Sequence, residues 1–276
     1  MTVVEAGVLG LVQGLTEFLP ISSIAHLRVI PALLGWLDPG AAFSAVIQLG
    51  TLVAVLIYFA GDLWDMVLAA VHGVRAGRPW ESHEARLAWF ILLGTLPIGL
   101  CGVAFKRSIV GEWRSLYVVA TSLIILGLLL WLAERMAAFH RGIGSIGWWD
   151  SQLIGVAQAL ALIPGASRSG TTLAAAMFSG LTREAAARYS FLLGIPAIGA
   201  AGLFELRELL QHGLRGADLG SLLIGILTSA VSGYLAIDLL LRYLRTRTTL
   251  VFVWYRLGLG VLLLVLLALG VLQPLD

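Results

Sequence analysis

The stretch GLVQGLTEFLPISSIAH at residues 10–26 carries a glutamine, a glutamate and a histidine within an otherwise apolar run. A second stretch, GVAQALALIPGASRSGTT at residues 155–172, follows the same plan, with a glutamine, a proline and a cluster of hydroxyl residues around Arg168. Ionisable groups at membrane depth are costly to bury and usually serve a function. We therefore expect these two stretches to decide both the fold and the site.

The composition indicates an integral membrane protein. Hydrophobic residues make up 59% of the 276 residues and charged residues only 12%, against roughly 25% charged residues in a typical soluble domain. The mean hydropathy is +0.94, and several apolar runs approach the ~20 residues that a transmembrane helix needs. No run of basic residues indicates a nucleic-acid partner, and we expect none.

Six apolar stretches are predicted to cross the membrane as full helices: residues 41–60, 88–105, 116–133, 186–204, 220–241 and 250–270. Two further pairs of apolar segments are too short to cross: residues 3–18 followed by 22–36, and residues 151–163 followed by 168–180. In each pair, a proline and a small polar cluster separate the two segments. Because irregular backbone at membrane depth must be buried in protein or line a wet cavity, each pair is predicted to form a re-entrant hairpin.

The two halves of the chain, about 1–140 and 141–276, parallel each other beyond the hairpins. Gly94 in the first half and Gly225 in the second end similar apolar runs, ILLG and LLIG. Each half would contain one hairpin and three full spans, and an odd number of spans inverts the second copy relative to the first. The sequence thus predicts an all-α polytopic membrane protein, a single membrane domain over residues 1–276, with six full transmembrane helices and two re-entrant helix–loop–helix hairpins in an inverted repeat.

The loop charges predict the orientation. The side reached after the first full span carries nine arginines, and the other side carries five basic residues. Because cytoplasmic loops are enriched in lysine and arginine, we expect the arginine-rich side to be cytoplasmic and the first hairpin to enter from the outer face. On the cytoplasmic side, the polar segment 72–87 is expected to be a solvated loop and not a metal site. The nine arginines are Arg75, Arg78, Arg86, Arg135, Arg141, Arg183, Arg242, Arg245 and Arg247, and the five residues are Lys106, Arg107, Arg114, Arg207 and Arg215.

The first hairpin brings together polar side chains of different chemistry. Gln13 and Glu17 are four residues apart and share one helix face. After the proline that ends this helix, Ser22 is placed to cap the next helix. Ser23 then occupies the first turn, and His26 follows three residues later on a neighbouring face.

The second hairpin repeats the arrangement with an arginine. After the Pro-Gly break, Ser167 or Ser169 can cap the next helix, in which Arg168 and Thr172 lie four residues apart. Two helix N-termini rich in hydroxyl groups are then predicted to face a common centre. Free N–H groups and the positive end of a helix dipole bind phosphate, and the forked guanidinium of arginine suits phosphate oxygens.

Each of these features taken alone has a structural explanation. Hydroxyl groups at a break in a membrane helix can simply satisfy freed carbonyls. A lone histidine such as His26 can be a satisfied structural group, and Arg168 with Glu17 can form a plain ion pair. The coincidence of carboxylate, hydroxyls, imidazole and guanidinium at the matching breaks of a repeat favours a functional site.

These motifs resemble the two signatures of the bacterial undecaprenyl-diphosphate phosphatases, the bacitracin-resistance proteins. The resemblance rests on QGLTEFLP-x-SS-x-x-H at residues 13–26 and PG-x-SRSG-x-T at residues 164–172, and it extends through VIQLG at 46–50 and YSFLL at 189–193. Gln13 departs from the glutamate that often begins the first signature. Ile24-Ala25 replaces the commoner small pair before the histidine.

The resemblance implies hydrolysis of a C55 polyprenyl diphosphate to its monophosphate, the lipid carrier of cell-wall synthesis. It implies a multi-pass protein of the bacterial plasma membrane with its active site toward the outer face, and a divalent cation, Mg²⁺ or Ca²⁺. Glu17 is the expected metal ligand, because Mg²⁺ is usually held by one or two carboxylates together with phosphate oxygens and water. The expected partners are the lipid substrate and membrane lipid, and the spacing Gly199-x-x-Gly202 leaves a homodimer open.

The roles of the site residues are hypotheses at this point. We expect Arg168 and the backbone amides around it to hold the diphosphate. Ser23 is the preferred nucleophile, with Glu17 as its base or metal anchor and His26 as proton donor or relay; a rival assignment makes His26 the nucleophile. The expected catalytic residues are Glu17, Ser23, His26 and Arg168, and the expected substrate-binding residues are Gln13, Ser22, Ser167, Ser169 and Thr172.

A transporter or flippase of phosphorylated polyprenyl lipids is the second hypothesis, since inverted repeats with broken helices are also a transporter architecture. Such a protein would need Arg168 and the helix N-termini but no nucleophile. For the prenyl tail of the substrate we expect an apolar groove along residues 88–105 and 186–204, with kinks at Pro97 and Pro196.

Overall fold

The chain folds into a bundle of α-helices in a computed structural model that describes residues 1–38, 40–110, 113, 115–212 and 219–274. Within these ranges the only β-type contact is one isolated bridge, between Arg141 and Leu181. The prediction of an all-α fold is therefore confirmed. The helices are α1 (Val3–Phe18), α2 (Ser23–Leu34), α3 (Gly40–Tyr58), α4 (Ala60–Arg75), α5 (His83–Gly94), α6 (Leu96–Ala104), α7 (Lys106–Val110), α8 (Leu116–Met136), α9 (Trp148–Ala159), α10 (Arg168–Phe178), α11 (Arg183–His212), α12 (Leu219–Leu244) and α13 (Leu250–Ala268).

Five of the six predicted spans correspond to apolar helical stretches long enough to cross a membrane. The sixth, predicted at residues 41–60, is α3, which ends at Tyr58 where the chain bends by 76° into α4. Counting this bent pair as one span gives six in the part of the chain that the structure describes. The polytopic membrane class is confirmed. The five stretches are His83–Ala104, Leu116–Met136, Arg183–Glu208, Leu219–Leu244 and Leu250–Ala268.

The prediction of a solvated loop over residues 72–87 is wrong at both ends, because helices occupy the first and last residues of this range. Helix α4 continues to Arg75, and α5 begins at His83 with Ser82 as its N-cap. The polar residues of α4 suggested a loop, but its apolar residues recur at the spacing of one helix face. That face is exposed and consists of Trp64, Val67, Leu68 and Val71.

The two prolines that were expected to kink spans behave differently. The helix is interrupted at Thr95, and α6 starts after it with Pro97 in its first turn. Helix α11 continues through Pro196 without a break. Only the first proline therefore divides its span into two helices.

Two helical hairpins lie at the predicted positions, α1 packed on α2 and α9 packed on α10. These helices have 16, 12, 12 and 11 residues in that order, all below the ~20 residues that a full span needs. A turn at residues 19–22 connects the first pair. A short 3₁₀ segment, Leu160–Leu162, and a turn connect the second.

Glycines let each hairpin pack closely against a full span. A Cβ on Gly10 of α1 would lie 2.3 Å from the carbonyl oxygen of Gly225 in α12, and a Cβ on Gly155 of α9 would lie 2.2 Å from that of Gly94 in α5. In the predicted repeat, Gly10 corresponds to Gly155 and Gly225 to Gly94. The same contact therefore occurs in both halves. The boundary between the halves near residue 140 and the inversion of the second copy stay predictions.

The glycine pair Gly199-x-x-Gly202 is used inside the chain. A Cβ on Gly202 would lie 2.6 Å from the side chain of Leu49, and a Cβ on Gly199 would lie 3.6 Å from that of Leu52. The pair thus allows α11 to pack on α3. This spacing no longer supports a homodimer, which stays an untested expectation.

The orientation in the membrane also stays a prediction. Two of the basic residues on which it depends, Arg114 and Arg215, lie outside the described residues. Three others, Arg75, Arg135 and Arg242, lie in the last turns of α4, α8 and α12 instead of in loops.

An aromatic contact ties the first hairpin to the long helix α11. Phe18, the last residue of α1, packs edge to face against Phe191, with the ring centroids 5.1 Å apart. Both rings are buried in the largest hydrophobic cluster. The contact fixes the end of α1, and with it Glu17, next to the part of α11 that follows Phe191.

Candidate active site

Two serines cap the second helices of the two hairpins in the same way. Ser22 Oγ accepts a hydrogen bond from the backbone N–H of Ala25 at 3.4 Å, and Ser167 Oγ accepts one from Gly170 at 3.1 Å. The prediction that Ser22 caps its helix is confirmed, and of the two candidates in the second hairpin Ser167 is the cap. Each cap leaves other N–H groups of the first helical turn without a partner inside the helix.

Both capping serines have an unusual backbone conformation. Ser22 has φ 73° and Ser167 has φ 71°, and among the described residues other than glycine only Phe139 shares a positive φ. Such a conformation costs on the order of 1–3 kcal/mol in a residue with a side chain and persists where the surrounding structure imposes it. The same strain at the same place in both hairpins marks these turns as a site.

The carboxylate of Glu17 joins the two hairpins. Its Oε2 accepts hydrogen bonds from Ser23 Oγ at 2.8 Å and from Gln13 Nε2 at 2.9 Å. Its Oε1 pairs with Arg168, at 3.3 Å from Nη2 and 3.4 Å from Nε. The side chains of Glu17 and Arg168 are only 5% and 9% exposed, so a largely desolvated carboxylate holds both a hydroxyl and a guanidinium.

Helix α11 supports the guanidinium of Arg168 from behind. Nη1 of Arg168 donates to the carbonyl oxygen of Ser190 at 3.0 Å. A Cβ on Gly194 would lie 2.0 Å from the same Nη1, so a glycine is needed for the guanidinium to lie against this helix. Arg168 is thereby fixed between the first hairpin and α11.

These groups line a cavity whose lining includes both polar and apolar residues. The cavity is open and has a volume of about 130 Å³. The apolar wall comes from α6 and α11, where the sequence predicted a groove for a prenyl tail. The polar residues of the lining are Glu17, Ser22, Ser23, Gln48, Ser167 and Arg168, and the apolar ones include Ile98, Ala197, Ile198 and Ala201.

Three of the residues expected to bind substrate lie behind this lining. Gln13 is fully buried and orients Glu17. Ser169 Oγ donates to the carbonyl oxygen of Leu19 at 3.0 Å, and the fully buried Thr172 bonds the carbonyl oxygen of Arg168 at 2.7 Å. Thr172 is one helical turn further from the cap, so its hydroxyl turns back to the preceding turn. All three are bonded to groups of the site, and none of them is among the residues that line the cavity.

His26 is also behind the lining. Its Nδ1 lies 2.7 Å from the carbonyl oxygen of Ser22, and its Nε2 lies 2.6 Å from the hydroxyl of Tyr255 in α13. Both ring nitrogens are therefore engaged by protein groups. In this arrangement the imidazole holds the strained cap of α2 and does not face the space where a substrate would lie.

Two residues of α13 contact the site and were not among the residues predicted from the sequence. Tyr255 bonds His26, and Arg256 is fully buried and donates to backbone carbonyls in both hairpin turns. Arg256 carried a visible signal, because it interrupts the apolar stretch 250–270 by the same criterion that singled out Arg168. Tyr255 carried none, since tyrosine is common in membrane helices.

The oxygen atoms around Glu17 fit a divalent cation. Among the described residues no group of three His, Cys, Asp or Glu side chains could hold a metal ion, and Glu17 is the one carboxylate in the described lining of the cavity. The amide oxygen of Gln13 is buried next to it without a hydrogen-bond partner in the described residues. Mg²⁺ and Ca²⁺ prefer such oxygens, and Mg²⁺ takes much of its shell from substrate phosphate and water.

Comparison with known proteins places the chain in a family. Residues 6–262 match the family described as bacitracin resistance protein BacA. A protein of Myxococcus xanthus is 58% identical over 276 residues, which is 100% of this chain and 93% of that protein. One of Gloeobacter violaceus is 52% identical over 275 residues (99% and 94%), and one of Chlorobium phaeobacteroides strain BS1 is 49% identical over 281 residues (99% and 100%). All three are named undecaprenyl-diphosphatase. The chain therefore belongs to the BacA family of bacitracin resistance proteins.

Proposed function

We propose that this chain is an integral membrane phosphatase that hydrolyses undecaprenyl diphosphate to undecaprenyl phosphate and inorganic phosphate. The observation that carries the proposal is the Ser23–Glu17–Arg168 cluster in a cavity that both polar and apolar residues line. A prenyl diphosphate combines a charged head with an apolar tail. The names of the relatives, at up to 58% identity over the whole chain, support the same activity.

The polar lining of the cavity supplies what phosphoryl transfer needs, which is mainly positioning and neutralisation of charge. Arg168 offers a forked donor to the phosphate oxygens. The N-termini of α2 and α10 add N–H groups and the positive ends of two helix dipoles. Arg168 gives up part of its pairing with Glu17 when the diphosphate binds, and this frees the carboxylate to act on Ser23.

Ser23 is the proposed nucleophile. Its hydroxyl already donates to Glu17 at 2.8 Å, so Glu17 can take the proton as Oγ attacks the terminal phosphorus. The bond from that phosphorus to the bridging oxygen breaks, and the lipid monophosphate leaves. Water then hydrolyses the phosphoserine, which releases inorganic phosphate and restores the hydroxyl.

His26 is less suited to be the nucleophile, because both of its nitrogens are engaged away from the cavity. We assign it instead to holding the cap of α2. Trapping of labelled phosphoenzyme separates the two assignments, since phosphoserine resists acid and phosphohistidine does not. We expect an acid-stable label that is lost in Ser23→Ala. An acid-labile label that is lost in His26→Ala would contradict the assignment.

The proposal includes a divalent cation held by Glu17, with the amide oxygen of Gln13 and phosphate oxygens as further ligands. Such a cation would add positive charge where the phosphates bind. The support is the unpartnered Gln13 oxygen beside the carboxylate.

The proposal also places the active site toward the outer face of the bacterial plasma membrane. The charge difference between the two sets of loops supports this orientation. Right-side-out vesicles given external farnesyl diphosphate, a water-soluble analogue, should release phosphate without being opened. Release only from inverted vesicles would overturn the orientation and leave the activity standing.

The direct test of the activity uses purified protein and farnesyl diphosphate. Wild-type protein should release phosphate, and Ser23→Ala should not. Transport of a phosphorylated lipid without hydrolysis, unchanged in Ser23→Ala, would replace the phosphatase with a flippase.

A further inference from the structure

Arg256 lies at the point where the two hairpin turns meet. Its side chain is fully buried. It donates to five backbone carbonyl oxygens, three of which belong to the turns of the two hairpins. These are Pro20 O at 3.1 Å, Gly165 O at 3.2 Å and Ala166 O at 2.9 Å, with Leu123 O at 3.2 Å and Ser122 O at 3.4 Å in α8.

The charge of Arg256 has no carboxylate partner among the described residues. The other buried arginines do, since Arg168 pairs with Glu17, and Arg28 pairs with Asp38. Burial of an unpaired charge is expensive unless hydrogen bonds compensate it. Here five carbonyl dipoles do so, and the cation is thereby held in one place.

The contacts of Arg256 fix the direction of the peptide groups at the start of α10. In a trans peptide the C=O and the following N–H point in opposite directions. The carbonyl of Ala166 points at Arg256, so the N–H of Ser167 points away from it. Ser167 and Gly165 both line the cavity, so Arg256 fixes peptide groups of residues that a bound phosphate would meet.

The charge of Arg256 also alters the net charge of the site. Glu17 and Arg168 largely neutralise each other, because they form an ion pair. Arg256 adds a positive charge that no described acidic group cancels. An anion in the cavity therefore meets a net positive site even before Arg168 leaves Glu17.

We propose that Arg256 is a positioning residue for the diphosphate, which holds the two serine-capped turns in register and supplies a positive charge that no described carboxylate neutralises. The proposal rests on the phosphatase function proposed above. It differs from a purely structural role in its consequence: loss of the charge weakens catalysis and anion binding more than it weakens the fold.

The experiment compares Arg256→Gln, Arg256→Lys and a control, Arg183→Gln. Arg183 pairs with the buried Glu134 and does not line the cavity, so its loss tests the effect of breaking a buried arginine contact elsewhere. For each purified protein we would measure Tm, kcat and KM with farnesyl diphosphate, and inhibition by inorganic diphosphate. Wild-type values set the reference.

We expect Arg256→Gln to lower kcat by about 10²-fold, the effect of a small displacement of the groups that position a substrate, and to weaken inhibition by diphosphate. Arg256→Lys keeps the charge without the fork, so it should recover part of both losses at a similar Tm. Arg183→Gln should lower Tm and leave kcat within about twofold of wild type, since a mutation outside the site acts on stability.

Three results would overturn the proposal. The first is an unchanged kcat in Arg256→Gln. The second is an equal fall in kcat in Arg256→Gln and Arg183→Gln when the two variants have the same Tm, and the third is loss of folding in both Arg256 variants. If Arg256→Gln alone fails to fold, Arg256→Lys decides by its kcat and diphosphate inhibition. Failure of the proposed function is a separate result. In that case wild-type protein binds diphosphate in a manner that depends on Arg256 but releases no phosphate.

Discussion

At the scale of single residues, the site depends on two serines that combine a cap with a strained backbone. Ser22 and Ser167 each accept from the N–H three residues on, and each has a φ near +70°. The strain turns the chain sharply enough that the N-terminus of the next helix faces the cavity. The cap then satisfies one of the N–H groups that this turn exposes.

The strain at Ser167 predicts an unusual order of stability. Neither glycine nor alanine has the capping oxygen, but glycine adopts a positive φ without cost, whereas alanine keeps the strain. Ser167→Ala should therefore be less stable than Ser167→Gly by about 1 kcal/mol, visible as a lower Tm of the purified protein. A Tm of Ser167→Ala equal to or above that of Ser167→Gly would show that the positive φ is not strained.

The cation proposal makes a prediction about Gln13. A glutamate at this position adds a second carboxylate beside Glu17, and charged oxygens bind Mg²⁺ more tightly than an amide. Phosphate release should stop when a chelator is added and return with Mg²⁺. In Gln13→Glu, less Mg²⁺ should be needed for half-maximal activity. Activity that a chelator leaves unchanged would remove the cation from the account.

Some residues of the site could be placed from the sequence alone, and others could not. Gln13, Glu17, Ser22 and Ser23 were predictable because their relations are local, set by helix spacing and by a cap next to a proline. The positions of His26 and Thr172 behind the lining were not, because Tyr255 and Ser190, their partners, come from distant helices.

At the scale of elements, the hairpins are placed by glycines that allow backbone contact with full spans. Gly155 of α9 meets the backbone of Gly94 in α5 as Gly10 of α1 meets that of Gly225 in α12. The hairpins themselves were predictable from length and composition, since a short apolar segment that ends in a proline cannot span. Helix α4 was not, because its polar residues resemble those of a loop and only its helical spacing distinguishes it.

The glycine contact predicts opposite effects of the same substitution at two sites. Gly155→Ala places a Cβ 2.2 Å from a backbone oxygen and should lower Tm. Gly61→Ala, in α4, meets no described atom within 4 Å and should raise stability by up to about 1 kcal/mol through helix propensity. Equal Tm values for the two variants would mean that α9 and α5 are not in backbone contact.

The apolar wall of the cavity predicts a specific effect on prenyl substrates. Ala201 of α11 lines the cavity, whereas the neighbouring Ala200 is exposed and does not. Ala201→Phe should raise KM for farnesyl diphosphate by about tenfold, comparable to the loss of one or two methylene contacts. Ala200→Phe should leave KM unchanged. Equal KM values in the two variants would place the prenyl tail elsewhere.

At the scale of the whole molecule, one site is assembled from both halves of the chain. The carboxylate, the proposed nucleophile and one cap come from the first hairpin, and the arginine and the other cap come from the second. Helix α13 contacts both turns through Tyr255 and Arg256. The sequence predicted that the hairpins meet because their motifs are complementary. The one signal of a third element was Arg256, which interrupts an apolar stretch.

A double-mutant cycle between the hairpins tests this joint site most directly. Phosphate release would be measured as kcat/KM for wild type, Glu17→Gln, Arg168→Gln and the double variant. Each single change should lower kcat/KM by about 10²–10³-fold. Because the two groups act as a unit, the double variant should fall little further than the worse single variant. Losses that multiply in the double variant would show that Glu17 and Arg168 act independently, and they would contradict a single site formed by the two hairpins.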